Sequence, residues 1–199
     1  MVKNVIATII GMYITMIPLI LGGIANMIFT KTKLYKDNKY PIDDYIVLRD
    51  NQRLFGDNKT IIGFISMIIL TTIIQILCGN IYRAINLDTY SDWYSNIQNT
   101  PINNIWIGSL IGTAYMLLEL PNSFIKRRLK IPDGKTAEGI RGTIFLIYDQ
   151  IDSLIGVFIV LKICSEISWL KVIGYILLGG VTHITINYVL HKLKVRKNI

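Results

Sequence analysis

Two long stretches without a charged residue dominate the hydrophobic pattern of this chain, Asn4 to Thr30 and Thr60 to Tyr82. Three further apolar stretches follow. Residues 104–120 form a shorter one with Glu119 at its end. Residues 142–167 hold Asp149 and Asp152 in their first half, and residues 169–190 contain His183. A helix needs about 20 apolar residues to cross a hydrocarbon core of roughly 30 Å. The pattern therefore predicts an all-α polytopic membrane protein with about five transmembrane helices, over residues 4–30, 60–82, 104–120, 142–167 and 169–190. Together they make one integral-membrane domain across residues 1–199. The first stretch is too long for a signal-peptide core and is read as a retained helix. Pro18 and Gly22-Gly23 are expected to bend it, a break that neighbouring helices absorb in lipid.

Composition agrees with this picture. Hydrophobic residues make up 52% and charged residues 17%, and the mean hydropathy is +0.46. That balance argues against a soluble enzyme, a disordered chain or a disulfide scaffold. Cys78 and Cys164 both lie in apolar stretches and read as buried thiols. No internal repeat or low-complexity linker is evident.

The distribution of lysine and arginine orients the bundle. Seven lie between Lys31 and Lys59, six between Lys126 and Arg141, and four between Lys192 and Lys197. The other side receives only Lys3, Arg83, Lys162 and Lys171. The expected topology has the N-terminus outside, and the two basic loops and the C-terminus in the cytoplasm. Topology accounts for most of the net charge of +8, so the basic residues are not read as a nucleic-acid footprint.

Ionisable groups inside membrane spans are costly and mark functional sites by default. Glu119, Asp149 and Asp152 qualify, and the i, i+3 spacing of the two aspartates puts them on one helical face. The other reading starts the span at Ser153 and leaves both aspartates among headgroups. Directly after Glu119, helical spacing aligns Ser123, Lys126, Arg127 and Lys130. That face suits either a phosphate clamp or an anchor on anionic headgroups. Asn58-Lys59-Thr60, with Gly63 a turn later, opens the second span. Amides at a helix start beside a lysine suit a phosphate, and an ordinary capped, anchored helix start fits as well. All three features fall on the cytoplasmic side. Carboxylates for a divalent metal beside cations for phosphate form the constellation that phosphoryl or nucleotidyl transfer needs.

These motifs resemble those of the integral-membrane CTP-dependent cytidylyltransferases, whose branches include phosphatidate cytidylyltransferase and CDP-archaeol synthase. Residues Glu119 to Asp133 read ELPNSFIKRRLKIPD, Tyr148 to Ser153 read YDQIDS, and Asn58-Lys59-Thr60 precedes Gly63. The resemblance spans roughly Gly56 to Gly156, in the family's order. Leu118-Glu119 stands where the family usually has Gly-Asp. Gln150 stands where the phosphatidate branch has arginine, which brings the chain closer to the archaeol branch.

The resemblance implies transfer of a cytidylyl group from CTP to a lipid phosphate, with release of pyrophosphate, in phospholipid biosynthesis at the cell membrane. The active site would face the cytoplasm. It implies that Glu119, Asp149 and Asp152 hold Mg²⁺, and that Lys126, Arg127 and Lys130 grip phosphates. Lys59, with the amides of Asn58 to Thr60, would contact CTP or the lipid phosphate. Ser123 and Asp133 match family positions on the substrate side. His183 is expected to bond a neighbouring backbone group or hydroxyl and is left outside the site. A homodimer is left open, and no soluble partner is indicated. The rival reading is a non-enzymatic transporter subunit or ion-binding membrane module. A CDP-lipid phosphotransferase is disfavoured, because Ser153 replaces the glycine its motif needs.

Overall fold

The computed structural model describes residues 2–135 and 139–192. Five long helices carry the chain: α1 (Val2–Phe29), α3 (Ile61–Ala84), α4 (Pro101–Arg128), α5 (Gly139–Cys164) and α6 (Trp169–Lys192). The short α2 (Lys33–Asp37) follows α1. No strand occurs among the described residues, only two isolated antiparallel bridges, Pro41 with Thr60 and Val47 with Arg53.

Local chemistry explains the helix starts. Thr60 caps α3 by accepting from the Gly63 amide, and Thr100 caps α4 by accepting from Asn103, with Pro101 in the first turn. Proline there lacks only an N–H that the helix would leave unused. All five expected stretches are helical, with limits moved by a few residues except in α4. That helix runs on from the expected end at residue 120 to Arg128, through Pro121.

Four of the five are long and apolar enough to cross a membrane: α1, α3, α5 and α6. At 28 residues, α4 is roughly 42 Å long at 1.5 Å per residue. Asn103, Asn104, Glu119 and Asn122 lower its hydropathy. Its neighbours explain how it tolerates them, since α3 packs along one side of it and α5 along another.

Small residues bring α3 and α4 close. A Cβ at Gly108 would lie 2.5 Å from the Thr72 Cα, and one at Gly112 would lie 2.6 Å from the Ile68 Cα. The Thr71 hydroxyl donates to the Gly108 carbonyl at 2.9 Å. Tight backbone approach and interhelical hydroxyl bonds are how helices associate in lipid, where burying apolar surface gains nothing. On its outer face α3 presents Ile61, Ile65, Ile69, Ile73, Leu77 and Ile81, all exposed. This four-residue stripe is what a lipid-facing helix needs. Inside, Met16, Met67, Ile111, Phe158 and Leu161 make the dry centre, with Phe158 stacked on Tyr175 at 4.6 Å.

The bundle closes in the order α1, α3, α4, α5, α6, and each helix packs on the next. Between α1 and α6 packing is sparse, which leaves a seam. One end of the bundle carries the basic loops. At the other, two short turns at Asp88–Tyr90 and Asp92–Tyr94 fold back between the helices. There Trp93 is buried and donates its indole N–H to the Thr15 carbonyl at 3.2 Å.

Candidate active site

At the basic end three elements converge. From α4 come Glu119, Asn122 and Lys126, spaced i, i+3, i+7 on one face. From α5 come Asp149 and Asp152, on one face as their spacing predicts. From the loop ahead of α3 comes Lys59.

These residues pair across elements. Lys59 Nζ bonds Glu119 Oε2. Lys126 Nζ reaches Asp149 Oδ1 and Oδ2 at 2.5 and 2.6 Å. Asn122 Nδ2 donates to Asp149 Oδ1 at 2.7 Å and to Asp152 Oδ2 at 2.6 Å. Asp152 also accepts from the Ser153 amide and is buried, while Asp149 is more open. Burial alone would pull the Lys59 ammonium down; Glu119 outweighs it, with help from Asp149 and Asp152, and holds it above the ordinary lysine range.

A second cluster braces this one from the loop side. Asp43 is buried and bonds Arg53 together with the amides of Phe55 and Gly56 at 2.9 and 3.0 Å. Burial would raise its carboxyl, but Arg53 and the two amides prevail and hold it below the usual range. Arg127 Nη1 meets Asp133 Oδ1 at 3.1 Å, and Asp133 Oδ2 accepts from the Asp57 amide at 3.2 Å. Gly56 has a φ of +94°, and a Cβ there would lie 2.6 Å from Asp133 Oδ2. Glycine is therefore required twice over, for conformation and for room. Arg128 donates to the Arg53 carbonyl at 2.5 Å and pairs with Asp50 at 3.1 Å.

Most expected site residues thus meet at one end of the bundle, with corrections of detail. Lys130 does not share the face of Ser123, Lys126 and Arg127: α4 ends at Arg128, and Lys130 takes a left-handed φ of 56°. Among the described residues no hydrogen bond or ion pair joins Ser123 or Lys130 to the carboxylates. The start of α3 is not a row of free amides. Ile61 N–H bonds the Tyr40 carbonyl, Lys59 N–H bonds Gly56, and the Gly63 amide is taken by Thr60. The Thr60 hydroxyl, which also meets Tyr35 at 2.9 Å, is a buried cap. His183 meets the Gln150 carbonyl at 3.2 Å.

The expected metal triad is also divided. Among the described residues no three His, Cys, Asp or Glu side chains are grouped to hold one ion, and Glu119 is paired with Lys59 as Asp149 is with Lys126. What remains does fit a hard cation. Oxygens of Asp149 and Asp152 converge on one point, now held by the Asn122 amide, and the buried Asn122 Oδ1 beside them has no partner. An all-oxygen donor set of this kind suits Mg²⁺.

Sequence reasoning missed Asn122. The signal was present, since it lies one turn after Glu119 and one before Lys126. Tyr115 was missed too, and it has an architectural place. Two cavities lie side by side, and Gly23, Met27, Tyr115 and Glu119 line both. The larger, about 360 Å³, lies along the α1–α6 seam and is lined by Met16, Leu19, Ile20, Leu154 and Ile186, with Asp149 and Lys31 also in its wall. The smaller, about 230 Å³, is bounded by Asn58, Lys59, Thr60 and Tyr35.

A cluster of paired acids and cations between an apolar cavity and a more polar one, in a bundle of long apolar helices, is the layout of a helical membrane enzyme. The comparisons are consistent with that class. The family model described as CarS-like CDP-archaeol synthase matches residues 4–199. CDP-archaeol synthase of Pyrobaculum aerophilum is 26% identical over 159 residues, 80% of this chain and 81% of that protein. CDP-archaeol synthase of Thermococcus kodakarensis is 36% identical over 107 residues, 54% and 56% of the two chains. A solved intramembrane enzyme of archaeal membrane-lipid biosynthesis shares the fold, with a TM-score of 0.60 and 21% identity, covering 88% of this chain and 91% of that one. The chain belongs to the CDP-archaeol synthase family of membrane cytidylyltransferases.

Proposed function

We propose that this protein transfers a cytidylyl group from CTP to the phosphate of an isoprenoid-ether lipid, yielding CDP-archaeol and pyrophosphate. A lipid phosphate oxygen attacks the α-phosphorus of CTP, the α–β bridging bond breaks, and pyrophosphate leaves. The observation that carries this reading is the pair of cavities meeting at Glu119. The apolar one suits lipid chains entering along the α1–α6 seam, and the other suits a water-soluble nucleotide.

The protein's task is to align two anions and offset their charge. Lys126 and Lys59 are held ready by carboxylate partners that phosphates can replace. Arg127 contributes from its pair with Asp133, and Asn58 lines the smaller cavity. Asp149 and Asp152 would hold Mg²⁺, which neutralises developing charge on the phosphates when bound. The basic end faces the cytoplasm, where CTP resides, and α4 counts as the fifth span.

The test is a transfer assay on purified protein in detergent, with α-labelled CTP, Mg²⁺ and either an isoprenoid-ether or a diacyl lipid phosphate. Labelled ether lipid is expected. Label in the diacyl lipid alone would overturn the lipid assignment. No label with either lipid, from folded protein beside a working control enzyme, would overturn the reaction.

A further inference from the structure

We infer that Asn122 is a ligand of the divalent cation, and that its amide is a placeholder when the cation is absent. This rests on the reading that Asp149 and Asp152 hold that cation.

Asn122 is 4% exposed and points from α4 into the gap between the two aspartates. One nitrogen, Nδ2, satisfies an oxygen on each. The other end of the same amide, Oδ1, is buried without a partner. A buried carbonyl left so costs about 1–3 kcal/mol, which is poor design for a residue whose only duty is to separate two carboxylates. Side-chain amides have a way out. Half a turn about the terminal bond exchanges N–H₂ for C=O at nearly the same points. Facing two bare carboxylates, only the N–H end is tolerated, because a carbonyl there would meet acceptors alone. With a divalent cation between the aspartates the preference reverses. The N–H end is repelled, and Oδ1 becomes a third oxygen in a set of the kind Mg²⁺ prefers. The same side chain then serves both states, and the rest of α4 need not move.

Asn122 lies one turn beyond Glu119 on the same helical face, and Glu119 is paired with Lys59 as Asp149 is with Lys126. A neutral third ligand leaves the site less negative than three carboxylates would.

The test is Mn²⁺ titration followed by EPR on the full chain in detergent, without nucleotide, for wild type, Asn122→Leu, Asn122→Asp and Asp152→Asn. Thermal melting of the metal-free proteins reports folding. Asn122→Leu is expected to weaken Mn²⁺ binding about 10-fold or more, whereas Asn122→Asp, which keeps an oxygen at that point, binds at least as tightly as wild type. Wild-type affinity in Asn122→Leu, with binding lost in Asp152→Asn, would overturn the ligand role and leave the aspartate site standing. So would weakened binding in a folded Asn122→Asp, which decides the matter should the leucine variant not fold. No Mn²⁺ binding by wild type, or unchanged binding in Asp152→Asn, would overturn the aspartate site and this inference with it.

Discussion

Both ends of the bundle bury polar side chains, and they do so differently. At the end away from the basic loops the network is largely amides and hydroxyls. Gln75 donates to Tyr94 at 2.9 Å, Tyr94 to Asn104 at 2.7 Å, Asn104 to Asn99 at 2.8 Å, and Asn99 to the Gly79 carbonyl at 2.7 Å. An ion pair there, Asp92 with Lys171 at 2.7 Å, is tied to the Tyr175 hydroxyl at 2.6 Å and to Thr15 through the Asp92 amide. Trp93 fills the space beside it. At the basic end the network is carboxylates against lysines and arginines, and both cavities described above lie there. Neutral hydrogen bonds around a buried aromatic ring stitch loop to helices and close the bundle. Charged pairs beside open space can exchange one partner for a phosphate or a cation. The contrast separates an end that is closed by packing from an end that leaves room beside its charges.

Substitutions can break that contrast. The largest effect is expected for Asp152→Asn, with cytidylyl transfer falling by about three orders of magnitude or more, a loss of some 4 kcal/mol in transition-state stabilisation. The protein should still melt near the wild-type temperature. Near-normal turnover would remove Asp152 from the site.

Trp93→Ala should do the opposite. It empties a large buried space, so a loss of about 3 kcal/mol is expected, read as a clear drop in melting temperature in detergent. The apparent KM for CTP should not change. A raised KM at normal stability would mean that the two ends are coupled.

Lys59→Met alone should destabilise by about 2 kcal/mol, because it strands Glu119 in a poorly hydrated site. Adding Glu119→Leu should recover most of that stability and none of the activity. Activity in the double variant would make this ion pair purely structural.

The smallest effect concerns the bracing loop. Asp43 titrates below the ordinary carboxylate range. Its contribution is therefore present above the unfolded value of about 3.9 and lost as pH falls through its lowered folded value. Limited proteolysis across residues 38–60 should rise sharply below about pH 4. In Asp43→Asn the loop should be cleaved at neutral pH too, without that acid step.

Much of this was legible in the chain. Charge-free stretches mark the helices because lipid tolerates little else. Asp149 and Asp152 share a face because three residues make most of a helical turn. Other features were not legible. Lys130 looked aligned with Lys126 only if α4 continued, and its left-handed backbone ended that alignment. The Lys59 amide looked free until it was found on the Gly56 carbonyl, and the next amides in α3, of Ile61 and Gly63, are taken by Tyr40 and Thr60. Nothing in the charge pattern showed that Lys59, 60 residues away in sequence, would pair with Glu119. Asn122 was overlooked because a neutral amide carries no signal in a charge pattern, although its spacing from Glu119 and Lys126 put it on their face.

The sequence by itself determined the class of molecule and the family, because hydrophobic runs and motif spacing are local properties of the chain. Which carboxylate meets which cation is not local. It follows from how α4 seats between α3 and α5, from the glycines that let α3 approach, and from the loop that swings Lys59 toward α4. Tertiary structure decided that Glu119 is paired, that Asp149 and Asp152 converge on Asn122, and that two cavities meet at a shared wall. Electrostatic partnership depends on distances of a few ångströms between segments, and only packing sets those distances.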